Sequence, residues 1–353
     1  MKIFAFYLSG EHESLPRSEA LSLLSIYSSS FKEIFFLDQC LIVQAHDLDV
    51  AALECRLALT HSVIDVLTIC DPLLGSLKAA AKNICIQDKR YCVRAYRIKQ
   101  AVLPADQVER AIGSVLKEKG FKADLENPEL YLKAIITEKE LVIGIEVARP
   151  NRRVFEARRP HLKPFFHPGV LMPRIARALV NISQVCPGEK LLDPFSGTAG
   201  ILVEACLLGV KGIGVDVQEM LIRGAKANLQ GLDCSLILGD AKRLPFSHLS
   251  IDSAVLDVPY GKSAIIEADT KETLINDSLS ELFRVIKLGR RMVIVADRDI
   301  RSNISEAGFE ILEHHQSRIH RSLTRHIFVC FKDIPVMKMH LAVSWALVTT
   351  CYL

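Results

Sequence analysis

Three aspartates close three short apolar runs in the second half of the chain. Asp193 ends Lys190–Asp193, Asp216 ends Gly212–Asp216, and Asp240 ends Ser235–Asp240. The first run opens the segment LLDPFSGTAGILVEA, Leu191 to Ala205, which reads as a strand, a glycine-bearing loop and a helix that begins near Ala199. Gly197 and Gly200 let the backbone come close to a ligand. Asp216 follows Asp193 by 23 residues, a spacing at which an acid after the second strand holds the two ribose hydroxyls of an adenosine. Gly239, Asp240 and Ala241 stand where the third strand would meet the adenine edge. Two cofactors carry such an adenosine, NAD and S-adenosylmethionine. The GxGxxG pattern is absent, and a carboxylate at Asp193 would repel a pyrophosphate. It would attract an ammonium and a sulfonium, so the residues point to S-adenosylmethionine.

A fourth apolar run, Ser253 to Val258, leads into LDVPYG, Leu256 to Gly261. A methyl donor on strands one to three leaves its methyl group facing the end of strand four. An exocyclic amino nitrogen is a poor nucleophile, because its lone pair is delocalised into the ring. Two acceptors that take both N–H hydrogens would aim that lone pair. The Asp257 carboxylate and the Val258 carbonyl can be those acceptors. Pro259 stiffens the turn, Tyr260 can stack on a base, and Asp257 can take the surplus proton. A base within a helical stack cannot reach such a pocket, so extrusion is expected.

The elements that must hold these residues alternate strand with helix from about 165 to 332, which implies a doubly wound, mostly parallel α/β sheet with its ligands at the carboxyl ends of the strands. Phe309–Ile319 and Thr324–Phe331 come last with no helix between them and should pair antiparallel. The first 70 or so residues read β-α-β-β-α-β: Lys2–Leu8, Glu19–Tyr27, Glu33–Leu37, Cys40–His46, Asp49–Leu59 and Ser62–Cys70. That order is the ferredoxin-like pattern. From about 75 to 157 the expected elements are paired strands Asn83–Gln87 and Tyr91–Ile98, a helix Pro104–Lys119, and a hairpin Tyr131–Thr137 with Glu140–Glu146. Arg149 to Pro164 reads as a linker, broken by Pro150, Pro160 and Pro164.

The 353 residues, half of them hydrophobic, suffice for two or three domains. A net charge of +3 does not by itself signal nucleic-acid binding, so that case rests on where the cations sit. Lys89, Arg90, Arg94, Arg97 and Lys99 form one group. Arg94 and Arg97 differ by an odd count and cannot share one strand face. Arg149, Arg152, Arg153, Arg158, Arg159 and Lys163 crowd the linker and are the strongest candidates for phosphates. Arg318, His320, Arg321, Arg325 and His326 surround the last hairpin turn. The N-terminus lacks a signal-peptide core and no run is long enough for a membrane span. The ten cysteines then read as reduced thiols without a zinc pattern, in a cytoplasmic protein.

These residues resemble the archaeal tRNA (guanine-N2) methyltransferases with an N-terminal THUMP region, most closely the tRNA (guanine(10)-N2)-dimethyltransferase group, over about residues 1 to 332. The resemblance is most specific in RPHLKPFFHPG (Arg159 to Gly169), DPFSGTAG (Asp193 to Gly200) and DVPYG (Asp257 to Gly261). It implies a class I, Rossmann-like methyltransferase domain at 167–332, with a seven-stranded sheet ending in an antiparallel hairpin. It also implies an N-terminal ferredoxin-like domain at 1–74, a THUMP RNA-binding domain at 75–157 that grips the tRNA acceptor end, and a basic linker end at 158–166. The tail at 333–353 has no assigned role. By resemblance Asp193, Pro194, Phe195, Ser196, Gly197, Thr198, Gly200, Asp216 with Val217, and Asp240 with Ala241 bind the cofactor, and His167 lines the pocket. Asp257, Val258, Pro259 and Tyr260 hold the guanine. The expected product is N2-methyl- or N2,N2-dimethylguanosine in tRNA, made by a monomer.

One position departs from the family's DPPYG or NPPYG: Val258 replaces the first proline. The carbonyl survives, but the preset backbone angle is lost, which predicts a looser loop and a gain in turnover for Val258→Pro. Three other readings remain open from sequence: an amino methyltransferase acting on DNA or rRNA, an RNA-binding protein with a decayed enzyme domain, and a small-molecule methyltransferase.

Overall fold

The apolar run Lys2–Leu8, with Phe4, Ala5 and Phe6 buried in succession between two neighbouring strands, makes the first strand. In the computed structural model, which describes residues 1–259, 268–321 and 323–334, that strand is β1, and the N-terminal half continues as α1 (Leu15–Tyr27), β2 (Ser30–Leu37), β3 (Cys40–His46), α2 (Val50–Arg56), β4 (Thr60–Cys70), α3 (Leu74–Lys82), β5 (Tyr91–Arg97), α4 (Ala105–Glu118), β6 (Leu130–Ile136) and β7 (Leu141–Ala148). Its strands form one seven-stranded sheet in the order β2-β3-β1-β4-β7-β6-β5. Antiparallel pairing of β4 with β7, from Val63 opposite Ala148 to Cys70 opposite Leu141, makes it continuous.

Two expectations fail in this half. Asn83–Gln87 is not a strand, and β5 instead pairs parallel with β6, Tyr91 opposite Leu130. Ile84 and Ile86 are buried and their neighbours exposed, so the alternation is real. It serves side-chain burial rather than a ladder, and the Ile84 N–H closes a turn on the Ala81 carbonyl at 3.1 Å. The helix α3 just before it was not expected, although Leu77 and Ala81, one helical turn apart, are its two buried residues. The segment after β7 is also more ordered than its prolines suggest. It winds into 3₁₀ turns at Arg152–Arg158 and Pro160–Leu162, started by the Asn151 side chain on the Arg153 N–H and anchored by the buried Phe155.

The C-terminal half comprises α5 (Pro173–Ile182), β8 (Lys190–Asp193), α6 (Gly200–Cys206), β9 (Lys211–Asp216), α7 (Glu219–Asn228), β10 (Cys234–Leu238), β11 (Ser253–Asp257), α8 (Ala268–Val285), β12 (Arg290–Ala296), α9 (Arg301–Glu306), β13 (Glu310–His320) and β14 (Leu323–Lys332). The sheet order is β10-β9-β8-β11-β12-β14-β13. The first five strands are parallel; β14 runs antiparallel to β12 and pairs antiparallel with β13, as expected. Apolar cores cover both faces, one built on α5 and α6 and the other on α8 and α9. The strand order reverses direction between β8 and β11, and that switch point opens a crevice at their carboxyl ends. The two halves meet through α1 and α5. Leu15, Ala58 and Leu59 join the α5 core, and Asn181, fully buried, links Arg56 (3.0 Å) to Glu19 (2.7 Å). No helix among the described residues is long and apolar enough to cross a membrane.

Candidate active site

The β8–α6 loop is bent by two left-handed residues, Gly197 (φ 48°) and Ala199 (φ 63°). A left-handed alanine is strained, and the loop is held there from two sides. Ser196 donates its N–H to the Val215 carbonyl at 2.9 Å. Gly197 donates to Asp216 Oδ2 at 2.9 Å, while Asp216 Oδ1 accepts from the Gln218 N–H at 2.9 Å. The acid that ends β9 therefore braces the neighbouring loop with one oxygen and its own turn with the other. A third brace was not read from the sequence: Asn228 on α7 donates to the carbonyls of Phe165 (2.9 Å) and Thr198 (3.0 Å) and accepts the Phe165 N–H (3.0 Å). Gly224 leaves room for the Phe165 ring, which would lie 2.1 Å from any Cβ there. Asparagine one turn after a glycine on α7 was the only available signal.

Around this loop opens a cavity of about 440 Å³. The cofactor residues expected from sequence all line it: Asp193, Pro194, Phe195, Ser196, Gly197, Thr198, Gly200, Asp216, Val217, Asp240, Ala241 and His167. Asp257, Val258 and Pro259 line it too, while Tyr260 lies outside the described residues. Leu171, Ile201, Leu221 and Leu274 add apolar wall that no local motif announced. The Asp240 carboxylate accepts the Lys242 N–H at 2.9 Å. His167 points its Nδ1 at the Pro168 carbonyl, 3.0 Å away.

Electrostatics favour a cation here. Asp193 is 2% exposed. Burial holds its carboxyl well above the usual carboxylate range, with Asp257 and Asp216 adding to the rise and the Phe195 N–H at 3.1 Å opposing it. Among the described residues no cation offsets that burial. A ligand ammonium would supply one, and the buried Ser196 hydroxyl, which has no hydrogen-bond partner among the described residues, offers a further polar contact. A Cβ at Gly200 would stand in open space at the cavity wall, so the bare backbone keeps that room for a ligand. These residues fit an adenosine bearing a cationic methionine tail.

The predicted RNA residues separate into groups. Arg149, Arg152 and Arg153 line a second cavity, of about 640 Å³, with Tyr7, His61, Tyr96 and Lys133. There Tyr7 packs against His61 (4.7 Å) and Tyr96 (5.2 Å), and Lys133 lies 4.5 Å from the Tyr96 ring centre. Burial and the neighbouring Arg152 charge depress His61 to about 4, so it is neutral at physiological pH. Arg158 is bound by Glu204 (2.7 and 3.0 Å) and Arg159 by Glu156. Lys163 is held below its ordinary value by burial. Lys89 is exposed just before β5. On β5, Arg94 bonds the Val93 carbonyl and Arg97 the Ala101 carbonyl.

The strand order and the acid-lined crevice define a methyltransferase that draws its methyl group from S-adenosylmethionine. Residues 160–327 match the RMKL-like methyltransferase domain. The tRNA (guanine(10)-N2)-dimethyltransferase of Methanothermobacter thermautotrophicus is 33% identical over 332 residues, 91% of this chain and 97% of that one. The enzyme of that name from Methanocaldococcus jannaschii is 29% identical, over 93% and 99%. The crystal structure of TrmN from Thermus thermophilus shares the fold, with a TM-score of 0.55 at 21% identity over 94% of this chain and 99% of that one. The chain belongs to the tRNA (guanine(10)-N2)-dimethyltransferase family.

Proposed function

We propose that the protein transfers methyl groups from S-adenosylmethionine to the exocyclic N2 of guanosine 10 in tRNA, giving N2-methyl- and N2,N2-dimethylguanosine. The observation that carries this is the meeting of a buried, cation-seeking Asp193 with the Asp257–Val258 strand end in one cavity. When bound, S-adenosylmethionine supplies an electrophilic methyl group on a positive sulfur. Asp193 and Ser196 hold the amino-acid end, Asp216 takes the ribose hydroxyls with lone pairs left over from its backbone bonds, and Asp240 and Ala241 face the adenine. The Asp257 carboxylate and the Val258 carbonyl would accept the two N–H hydrogens of the guanine amine and aim its lone pair at the methyl group; as the C–N bond forms the methyl–sulfur bond breaks, S-adenosylhomocysteine leaves with that electron pair, and Asp257 receives the amine proton.

In this reading 1–74 is a ferredoxin-like domain, 75–157 a THUMP domain, 158–166 the linker end and 167–332 the catalytic domain. The cavity of about 640 Å³ supports an RNA-anchoring role for the N-terminal half, because tilted, closely packed aromatic rings beside Arg149 and Arg153 suit a nucleotide of the acceptor end. The enzyme is a cytoplasmic monomer in this scheme. Mass analysis of nucleosides from unmodified tRNA incubated with the protein and S-adenosylmethionine tests it. Methylguanosine with N2 substitution is the expected product; methyladenosine alone, or no methylated nucleoside, would defeat the proposal.

A further inference from the structure

The β13–β14 hairpin carries a surface that methyl transfer does not use. The His314 and His326 ring planes are tilted by only 18°, with centroids 5.2 Å apart and His314 Nε2 3.1 Å from His326 Nδ1. One ring donates an N–H and the other accepts it. Two imidazoles joined edge to edge in this way make a single, nearly flat tile. His314 also stacks on Phe328 at 4.5 Å and 5°, and Phe328 is fully buried in the core. The tile is therefore backed on one side by packed structure, while both rings keep partial exposure.

Register places more on the same face. His314 pairs with Phe328, Gln316 with His326, and Arg318 with Thr324, and paired residues project to the same side of a sheet. The face thus runs from core aromatic to imidazole tile, then to an exposed amide and an exposed guanidinium at the tip. Asp299, the acid that faces His314, is engaged by Arg301 at 2.9 and 3.0 Å, so it presents little free negative charge.

The tile also sits at the carboxyl end of the parallel strands, beside the active site. His326 pairs with Ala296 at the end of β12, and Val295 beside it pairs with Asp257. His326 is therefore two strand spacings from Asp257, roughly 10 Å, at the same end of the sheet and with its side chain on the opposite face from that of Asp257. Arg325 ties the hairpin to the active-site wall, donating to the Gly169 carbonyl at 2.9 Å.

Resting on the RNA reading above, we infer that the His314–His326 tile is a stacking platform for the nucleobase next to the methylated guanosine, with Arg318 directed at its phosphate. Extruding one base strips its neighbour of a stacking partner. A flat, core-backed imidazole pair replaces that partner for any base, because every base has a stacking face.

The test uses the full chain and an unmodified tRNA transcript with 2-aminopurine placed on either side of the target guanosine. Stacking on the tile quenches its fluorescence. His326→Ala should raise KM for tRNA about tenfold and abolish the quench, with kcat and cofactor affinity unchanged, whereas His326→Phe should retain both. Arg318→Ala, at an exposed position, should weaken tRNA binding and lower its salt dependence by about one phosphate contact. The platform is overturned if His326→Ala leaves KM and quench intact, or if His326→Phe loses as much as the alanine variant. Absence of methyl transfer to tRNA by the wild type, with the ring-dependent quench preserved, would sink the proposed function and leave the platform standing. Intact transfer with a quench indifferent to residue 326 would do the reverse.

Discussion

The Glu204 carboxylate grips the Arg158 guanidinium through two bonds, Nε at 2.7 Å and Nη2 at 3.0 Å. Glu204 sits on the helix that follows the cofactor loop, is 1% exposed, and also meets Arg177 at 2.9 Å. The pair thus fastens the basic segment to the catalytic domain. Glu204→Gln should remove about 3–5 kcal/mol of stability, because it leaves two guanidinium groups facing a neutral amide in a buried site. Urea unfolding measures it. Arg158→Ala should lose less, since Arg177 keeps its partner. A Glu204→Gln loss under about 1 kcal/mol would show the pair to be unimportant for stability.

Asp193 should oppose folding and serve binding. Its folded value is raised, so the native state holds the proton more tightly than the unfolded chain. Its stabilising contribution is then present below the unfolded value of about 3.9 and lost as pH rises from there through the folded value. Asp193→Asn should raise the ligand-free Tm at neutral pH, about 2–4 °C for each 1 kcal/mol gained, and abolish S-adenosylmethionine binding in calorimetry. In the wild type, cofactor affinity should climb with pH across the same window as the carboxylate forms. A variant that binds the cofactor normally would remove Asp193 from the site.

Val258 carries a bond that its side chain does not reveal. Its N–H donates to the Val295 carbonyl at 2.9 Å, which pins the loop that a proline ring was expected to stiffen. Val258→Pro should therefore give no gain in turnover, and should cost about 1–3 kcal/mol by leaving that carbonyl unpaired. Asp257→Ala should reduce kcat by about 10²–10⁴. Steady-state kinetics and thermal melting of both variants check the pair of expectations.

The two halves depend on one asparagine. Asn181 donates to Glu19 (2.7 Å) and to the Arg56 carbonyl (2.9 Å), and accepts from Arg56 Nε (3.0 Å). Burial already pushes the Glu19 carboxyl up against these bonds. Asn181→Leu should cost about 3 kcal/mol, and should hasten proteolytic cutting between the halves, within residues 149–164. Unchanged cutting would show that the apolar contacts of Leu15 and Leu59 hold the junction by themselves.

Affinity for tRNA should fall steeply with salt, by a log–log slope of about 0.7–0.9 per phosphate neutralised. Arg153→Ala should flatten that slope, since Arg153 lines the larger cavity, whereas Arg152 is already engaged there by Glu11. Arg158→Ala should leave it unchanged, because Glu204 already engages its guanidinium. A flat response in the wild type would remove the RNA surface altogether.

The acids Asp193, Asp216, Asp240 and Asp257 were legible in the sequence as strand ends. Apolar runs, glycine loops and the spacing between them are local properties, set within a few residues by backbone preference. The antiparallel close of the second sheet was legible for the same reason: Glu310–His320 and Leu323–Lys332 follow each other with no room for a helix. What the tertiary structure alone decided concerns partners distant in the chain. It set β8 between β9 and β11, which brings Asp193 and Asp257 into one cavity. It joined β4 to β7 and made a single sheet of the N-terminal half. It also separated arginines that look alike in sequence, directing Arg153 to a cavity, Arg152 to Glu11 in the wall of that cavity, and Arg158 to a buried carboxylate. Composition fixes how many charges a segment carries, but the long-range pairing of strands and helices determines which of them meet an opposite charge before any ligand arrives.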